Sequence, residues 1–206
     1  DEVLVLGDIA GQHQALLDAV AAHPNAYIIS VGDIVDRGPD SNRVIEWFMT
    51  NQERSQVIMG NHEKMMIDAH ENPQYQNLWL YNGGSATMQS YSYSVPAAVL
   101  GWLERLPRCI ELTCAGKKYF ISHAFYNKLD QGAPSRDDQQ DEDFLWARNW
   151  PVLAPQYHAQ ICGHEGKVFT KQNGICIDDS HNRNLGAIQL PTDVVLRYPH
   201  KAIVLS

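Results

Sequence analysis

Five side chains able to hold a hard divalent cation lie in short strings spread through the chain, four of them preceded by glycine. Asp8 stands in Gly7-Asp8-Ile9-Ala10-Gly11, and Asp33 in Gly32-Asp33-Ile34-Val35-Asp36-Arg37-Gly38. Asn61 stands in Gly60-Asn61-His62-Glu63, His123 in Ser122-His123-Ala124, and His164 follows Gly163. Carboxylate, amide oxygen and imidazole are the donors such ions select. Asp33 has two oxygens and is able to bridge a pair of ions, which in two-metal sites lie roughly 3.5–4 Å apart. The chemistry this equipment suits is hydrolysis of a phosphate monoester. Cations and an arginine fork neutralise a dianion, and metal binding lowers the pKa of water to around 7, so a hydroxide held between the ions is the expected nucleophile. An alkoxide leaves poorly, so an acid worth roughly 10²–10⁴-fold is useful. His62 is placed for that role, with Asp36 to stabilise its charged form. A single Gly-Asp or Gly-His pair is an ordinary turn; the joint order and spacing of five carry the inference.

Elements must bring these strings together. Val3–Leu6, Tyr27–Val31 and Gln56–Met59 are short apolar runs closed by glycine, as in buried strands. A helix over Gln14–Ala22 has Ala15, Leu16, Ala19 and Val20 on one side. Pro39-Asp40-Ser41 supplies a turn and N-cap for a helix through Met49. This β-α-β-α-β alternation predicts right-handed crossovers and a parallel sheet. In such sheets, sites form beyond the C-terminal strand ends, which is where the first three strings fall. Helices are expected at Glu63–His70, Ser85–Tyr93 and Pro96–Leu106, with a flexible or phosphate-accommodating turn at Asn82-Gly83-Gly84. Arg108–Cys114 and Lys118–Ser122 flank Ala115-Gly116 as a hairpin. Further strands are expected at Gln160–Cys162, Val168–Thr170, Gly174–Ile177, Gly186–Leu190 and Val194–Tyr198, and an exposed loop at Asn127–Gln140. The predicted fold class is α/β, two packed mixed sheets flanked by helices in a four-layer α/β/β/α sandwich, with residues 1–206 as one domain.

Composition narrows the partners. The formal net charge of −8 argues against a non-specific grip on nucleic acid. Hydrophobic content of 44% is enough for a core, and no stretch approaches the roughly 18 apolar residues of a membrane span. Asp1-Glu2-Val3-Leu4 shows no signal-peptide pattern. Cys109, Cys114, Cys162 and Cys176 form no Cys-x-x-Cys pair. Buried thiols in a reduced, cytoplasmic compartment are expected. Oligomeric state leaves no signal in the sequence.

The chain resembles the calcineurin-like metallophosphoesterases, in particular the phosphoprotein phosphatase branch and its bacteriophage lambda-type serine/threonine protein phosphatases. Besides the strings above, Leu78–Gly84, Leu145-Trp146-Ala147-Arg148 and Gly163-His164 carry the likeness. The resemblance implies that Asp8 and Asp33 hold a first metal, with Asp33 bridging, and that Asn61, His123 and His164 complete a second. It implies His62 as general acid oriented by Asp36, Arg37 and Arg148 as phosphate clamps, and Asn61 also facing the substrate. It implies two divalent ions, manganese first, with iron, zinc or magnesium as alternatives. The expected substrate is phosphoserine or phosphothreonine in a protein or peptide, with dual specificity open. A symmetrical dinucleoside tetraphosphate hydrolase is the second enzyme expectation. Arg136 and Arg183 compete with Arg148, and Trp79, Trp102, Trp146 and Trp150 are expected to pack.

One position departs from the family pattern. The first string is written with histidine where this chain has Ala10, so a ligand of the first metal is missing. Losing even a partner of a ligand typically costs about 10–100-fold in metal affinity or activity. His13 is the nearest substitute in sequence. The rest of the site is intact, which favours a recent or introduced change over gradual decay, and impaired turnover is expected. A pseudophosphatase that binds phosphorylated partners without hydrolysis is the expectation from a different class. Glu165 after His164, and Ile177-Asp178-Asp179-Ser180, also differ from many relatives and bear on substrate choice.

Overall fold

The computed structural model describes residues 2–135, 142–148 and 151–200. Two five-stranded sheets form its centre. In the first, β1 (Val3–Leu6), β2 (Tyr27–Ser30) and β3 (Ser55–Val57) run parallel. Their crossovers contain α1 (His13–Ala22) and α2 (Ser41–Thr50). The other side of β1 pairs antiparallel with Asn184–Leu190, which pairs in turn with Val194–Pro199. In the second sheet, β4 (Cys109–Cys114) and β5 (Lys117–Ser122) form a hairpin, and β6 (Ala159–Cys162) lies parallel to β5. Beyond β6 come β8 (Gly174–Cys176), parallel to it, and then antiparallel β7 (Phe169–Lys171). Ala115 and Gly116 have φ of 46° and 78°, the twisted two-residue turn that suits a hairpin.

The alternation of side chains along a strand divides the core. Leu4 and Leu6 enter a cluster with α1, α2 and the later helices, whereas Val3 and Val5 meet Tyr119, Ile121 and Ile161 between the sheets. A strand buried on both faces reads as an unbroken apolar run, which explains Val-Leu-Val-Leu. On the outer face of the second sheet, Phe120 packs with Tyr126, Leu129, Phe144 and Tyr157.

Some expectations change. Asp40 makes no side-chain cap on α2. Its neighbour Ser41 instead accepts from the Asp36 N–H at 3.0 Å, so the expected capping residue serves the site loop. Helix α3 (Asn61–Glu71) starts two residues before the expected Glu63, because Glu63 reaches back to the Gly60 N–H and closes the helix start. The segment from Asn127 is not all exposed, since Leu129 is fully buried; residues 136–140 of that loop lie outside the described residues. After α4 (Gln76–Trp79), a π turn at Leu80–Gly84 leads into α5 (Ser85–Ser90), and Ala97–Leu103 forms α6.

Candidate metal centre

Asp8 follows β1, Asp33 follows β2, Asn61 and His62 open α3 after β3, His123 follows β5 and His164 follows β6. All six are buried. The turns that bring them together are strained in a consistent way. Ala10, Asp33, Asp36, Arg37 and His164 have φ of 49°, 50°, 70°, 63° and 71°, a region non-glycine residues seldom enter. Gly163 has no substitute, because a Cβ there would collide with the Asp8 carboxylate.

Glu63 fixes the Asp33 loop. Its carboxylate accepts the N–H groups of Asp33 and Gly60 at 2.8 Å each, of Ile34 at 2.9 Å and of Val35 at 3.3 Å. Burial, followed by the Asp33 charge, pushes the Glu63 carboxyl up to about 7. Glu63 closes the Gly-Asn-His-Glu string, yet its grip on a loop thirty residues upstream leaves no trace in that string.

The five expected donors converge. The Asn61 Oδ1 lies 2.8 Å from His123 Nε2 and 3.0 Å from His164 Nδ1. His123 Nε2 is also 3.4 Å from Asp33 Oδ1, and the His164 N–H donates to Asp8 Oδ1 at 3.2 Å. Burial, joined for Asp8 by the charges of Asp178 and Asp33, raises the Asp8 carboxyl well above the carboxylate range. Burial opposes charge on Asp33 as well, but His123 and His62 outweigh it and hold that carboxyl low. Burial holds His123 below the ordinary histidine value, and burial together with His123 takes His164 down to about 3. Both rings are therefore neutral near pH 7, the state in which imidazole ligates metal.

Metal ions fit this arrangement. His123 Nδ1 lies 3.0 Å from the Val31 carbonyl, which assigns the proton to that nitrogen. Its Nε2 lone pair then faces the acceptors Asn61 Oδ1 and Asp33 Oδ1. His164 Nε2 is buried with no hydrogen-bond partner. Lone pairs turned on acceptors, beside buried carboxylates, call for a cation between them. Among the described residues, no group of three or more His, Cys, Asp and Glu side chains is already drawn round one point. Instead His123 and His164 both close on the Asn61 side-chain oxygen.

Beside the donors lies an acid–base pair. His62 Nδ1 is 2.7 Å from Asp36 Oδ2, and its Nε2 is 2.9 Å from Arg37 Nη2 and 3.8 Å from Asp33 Oδ2. Burial disfavours the imidazolium, but Asp33 and Asp36 overcome it and raise the His62 pKa. Arg37 donating to Nε2 requires the neutral ring, so protonation of that nitrogen displaces Arg37. Asp36 is fully buried and, besides His62, is held by two side chains: Trp79 Nε1 donates to both oxygens at 3.0 and 3.1 Å, and Thr87 Oγ1 donates to Oδ1 at 2.6 Å. Trp79 thus does more than the packing expected of it. Replacing Trp79 with phenylalanine is expected to cost about 1.5–3 kcal/mol, because a buried carboxylate loses a donor; urea unfolding measures it.

The remaining predicted residues differ in placement. Asn82 is bonded to the Leu78 carbonyl, and Gly83 (φ 113°) packs against Arg37 and accepts its N–H at 3.2 Å, so this turn positions Arg37. Arg148 follows the short helix α7 (Asp143–Trp146), is largely exposed, and pairs with Glu165. Arg183 is exposed on a left-handed turn, and Arg136 and Trp150 lie outside the described residues. His13 is influenced by Arg43, Asp40 and Glu46 of the α2 region and joins no part of the cluster. Cys114, Cys162 and Cys176 are buried.

Comparison with known proteins agrees with the geometry. The family profile of the calcineurin-like phosphoesterases matches residues 2–197. The chain belongs to that family. Serine/threonine-protein phosphatase 2 of Escherichia coli (strain K12) is 36% identical to this calcineurin-like phosphoesterase over 130 residues, 60% of this chain and 58% of that protein. The chain thus spans about three fifths of the length of the curated relatives it matches first. A symmetrical bis(5'-nucleosyl)-tetraphosphatase of Shewanella frigidimarina (strain NCIMB 400) is 35% identical over 69 residues, 32% of this chain and 25% of that protein. A crystal structure provisionally named a diadenosine tetraphosphatase superposes with a TM-score of 0.74 at 20% identity, covering 97% of this chain and 94% of that one. That likeness shows the fold: two mixed five-stranded sheets flanked by helices.

Proposed function

We propose that this calcineurin-like phosphoesterase is a metal-dependent phosphomonoester hydrolase acting on phosphoserine or phosphothreonine in proteins, and that Ala10 impairs it. The observation that carries the proposal is the gathering of Asp33, His123 and His164 about Asn61, with Asp8 held against the His164 backbone, His164 Nε2 buried without a partner, and the His62–Asp36 pair alongside. Two divalent ions held there, manganese by preference, would supply charge neutralisation and a water of lowered pKa. Asp8 and Asp33 would take one ion, and Asn61, His123 and His164 the other, with Asp33 shared.

This chain's own groups do the rest. Arg37 leaves His62 Nε2 and forks onto the phosphate oxygens, with Arg148 as the second clamp. His62, freed and protonated from solvent, gives its Nε2 proton to the departing serine or threonine oxygen as a water oxygen replaces that oxygen on phosphorus, while Asp36 steadies Nδ1. Asp36 does not move, because Trp79 and Thr87 fix it. The product phosphate remains on the two arginines until it is exchanged. No group of the protein is phosphorylated in this scheme.

The relatives named serine/threonine phosphatases support the protein substrate, and the short match to a tetraphosphatase favours diadenosine tetraphosphate as a second reading. Initial rates on a phosphoserine peptide and on diadenosine tetraphosphate, with manganese, separate them. We expect the peptide to be the better substrate by kcat/KM, and a higher value for the dinucleotide would reverse the assignment. Peptide bound but never hydrolysed with manganese, iron, zinc or magnesium would instead make this chain a phosphate-binding pseudophosphatase.

A further inference from the structure

Glu165 takes no part in the scheme above, yet it directly follows one of the proposed ligands. It follows the proposed ligand His164 on the tight turn where its own N–H donates to the Gly163 carbonyl at 3.0 Å. Its carboxylate lies 3.7 Å from the Arg148 guanidinium, with the Glu165 side chain only 19% exposed and that of Arg148 65% exposed. Trp146, two residues before Arg148, sets its ring edge-on to His164 with centroids 6.4 Å apart. Arg148, Trp146 and Glu165 therefore form one wall of the candidate site, and an anion is built into it.

We infer that Glu165 determines specificity at this wall, selecting a single phosphate on a segment with a neighbouring basic residue and rejecting polyphosphate chains. The inference rests on the phosphatase reading and deepens it. In the free protein Glu165 occupies Arg148, so an arriving phosphate must compete for the guanidinium. A monoester places one dianion at Arg148, and a lysine or arginine beside the phosphorylated residue takes up the displaced carboxylate. A dinucleoside tetraphosphate offers no such cation and extends further negative charge along the same wall. An exposed charge pair of this kind shifts an equilibrium by up to about fivefold, and several phosphates facing one carboxylate by about tenfold.

The test is equilibrium binding to the full chain and to Glu165→Gln, in manganese. The probes are inorganic phosphate, phosphoserine peptides with lysine or alanine next to the phosphoserine, and a non-hydrolysable diadenosine tetraphosphate analogue. Binding is read by anisotropy or calorimetry, so slow turnover does not matter. The glutamine variant is expected to bind the tetraphosphate analogue about tenfold more tightly and phosphate about threefold more tightly, and to lose the preference for the lysine peptide. These differences should shrink at 1 M salt, where the screening length falls to about 3 Å. In an Arg148→Ala background, the gain for phosphate should vanish while the gain for the tetraphosphate persists. Equal affinities of the two proteins across all probes would overturn the role of Glu165 and leave the phosphatase proposal standing. No binding of phosphate or phosphopeptide by either protein would overturn both.

Discussion

Replacing Ala10 with histidine is expected to raise affinity for manganese by at least about 10–100-fold, and turnover of p-nitrophenyl phosphate with it, since even a partner of a ligand is worth that much. The backbone at position 10 is already set for the change. Ala10 is buried, with φ of 49°, and its N–H donates to the Asp33 carbonyl at 2.8 Å while its own carbonyl accepts from Gly38 at 2.9 Å. Left-handed backbone is several-fold richer in histidine, asparagine and aspartate than in other non-glycine residues. Alanine gains nothing there to offset the strain. The conformation is one that histidine tolerates better than alanine does, held in place by the loop that carries Asp33. Calorimetric titration with manganese should show one tight site in the present chain and two in the variant. Unchanged stoichiometry, affinity and rate would mean that position 10 does not limit the site.

The strands are legible in the sequence because their burial leaves a mark. β1 is apolar throughout since both of its faces are covered, and β1, β2 and β3 are each followed within three residues by a glycine that opens a site loop. Four of the donors are legible because each directly follows a glycine, and His123 because it directly follows the apolar run of β5. What the sequence does not disclose are contacts made across long separations by residues with ordinary local roles. Trp79 and Thr87 lie 43 and 51 residues from Asp36, on separate elements, and nothing in their neighbourhood marks them as donors to a carboxylate. Local chemistry favours Ser41 as part of a helix cap, but the buried Asp36 N–H makes the stronger demand. Glu165 is visibly unusual in its string, while its pairing with Arg148 depends on two loops meeting. Helix boundaries shift for similar reasons: α3 begins early because Glu63 closes it, and α5 ends early because Ser92 and Tyr93 turn left-handed.

His62→Asn, in the present chain or in an Ala10→His background if turnover is otherwise too slow to follow, is expected to lose roughly 10²–10⁴-fold in kcat on a phosphoserine peptide. Much less should be lost on p-nitrophenyl phosphate. The contrast follows from the leaving group. A serine alkoxide needs a proton as the P–O bond breaks, whereas nitrophenolate departs as a stable anion. The ring is well placed to deliver that proton. Its Nδ1 is spent on Asp36 at 2.7 Å, and its Nε2 faces the donor cluster with Arg37 as its present partner. Two carboxylates nearby raise the ring's pKa despite burial, which favours the protonated ring. The bond from the His62 N–H to Asp33 Oδ1 at 3.0 Å is made by the backbone and survives the substitution, so the Asp33 loop and manganese affinity should hold. If both substrates lose activity equally, His62 acts by shaping the site rather than by donating a proton. If manganese affinity falls as well, its contact with Asp33 matters more than its chemistry. A leaving-group-dependent loss with intact metal binding is the result that the His62–Asp36–Trp79 chain predicts, because only the proton on Nε2 distinguishes the two substrates.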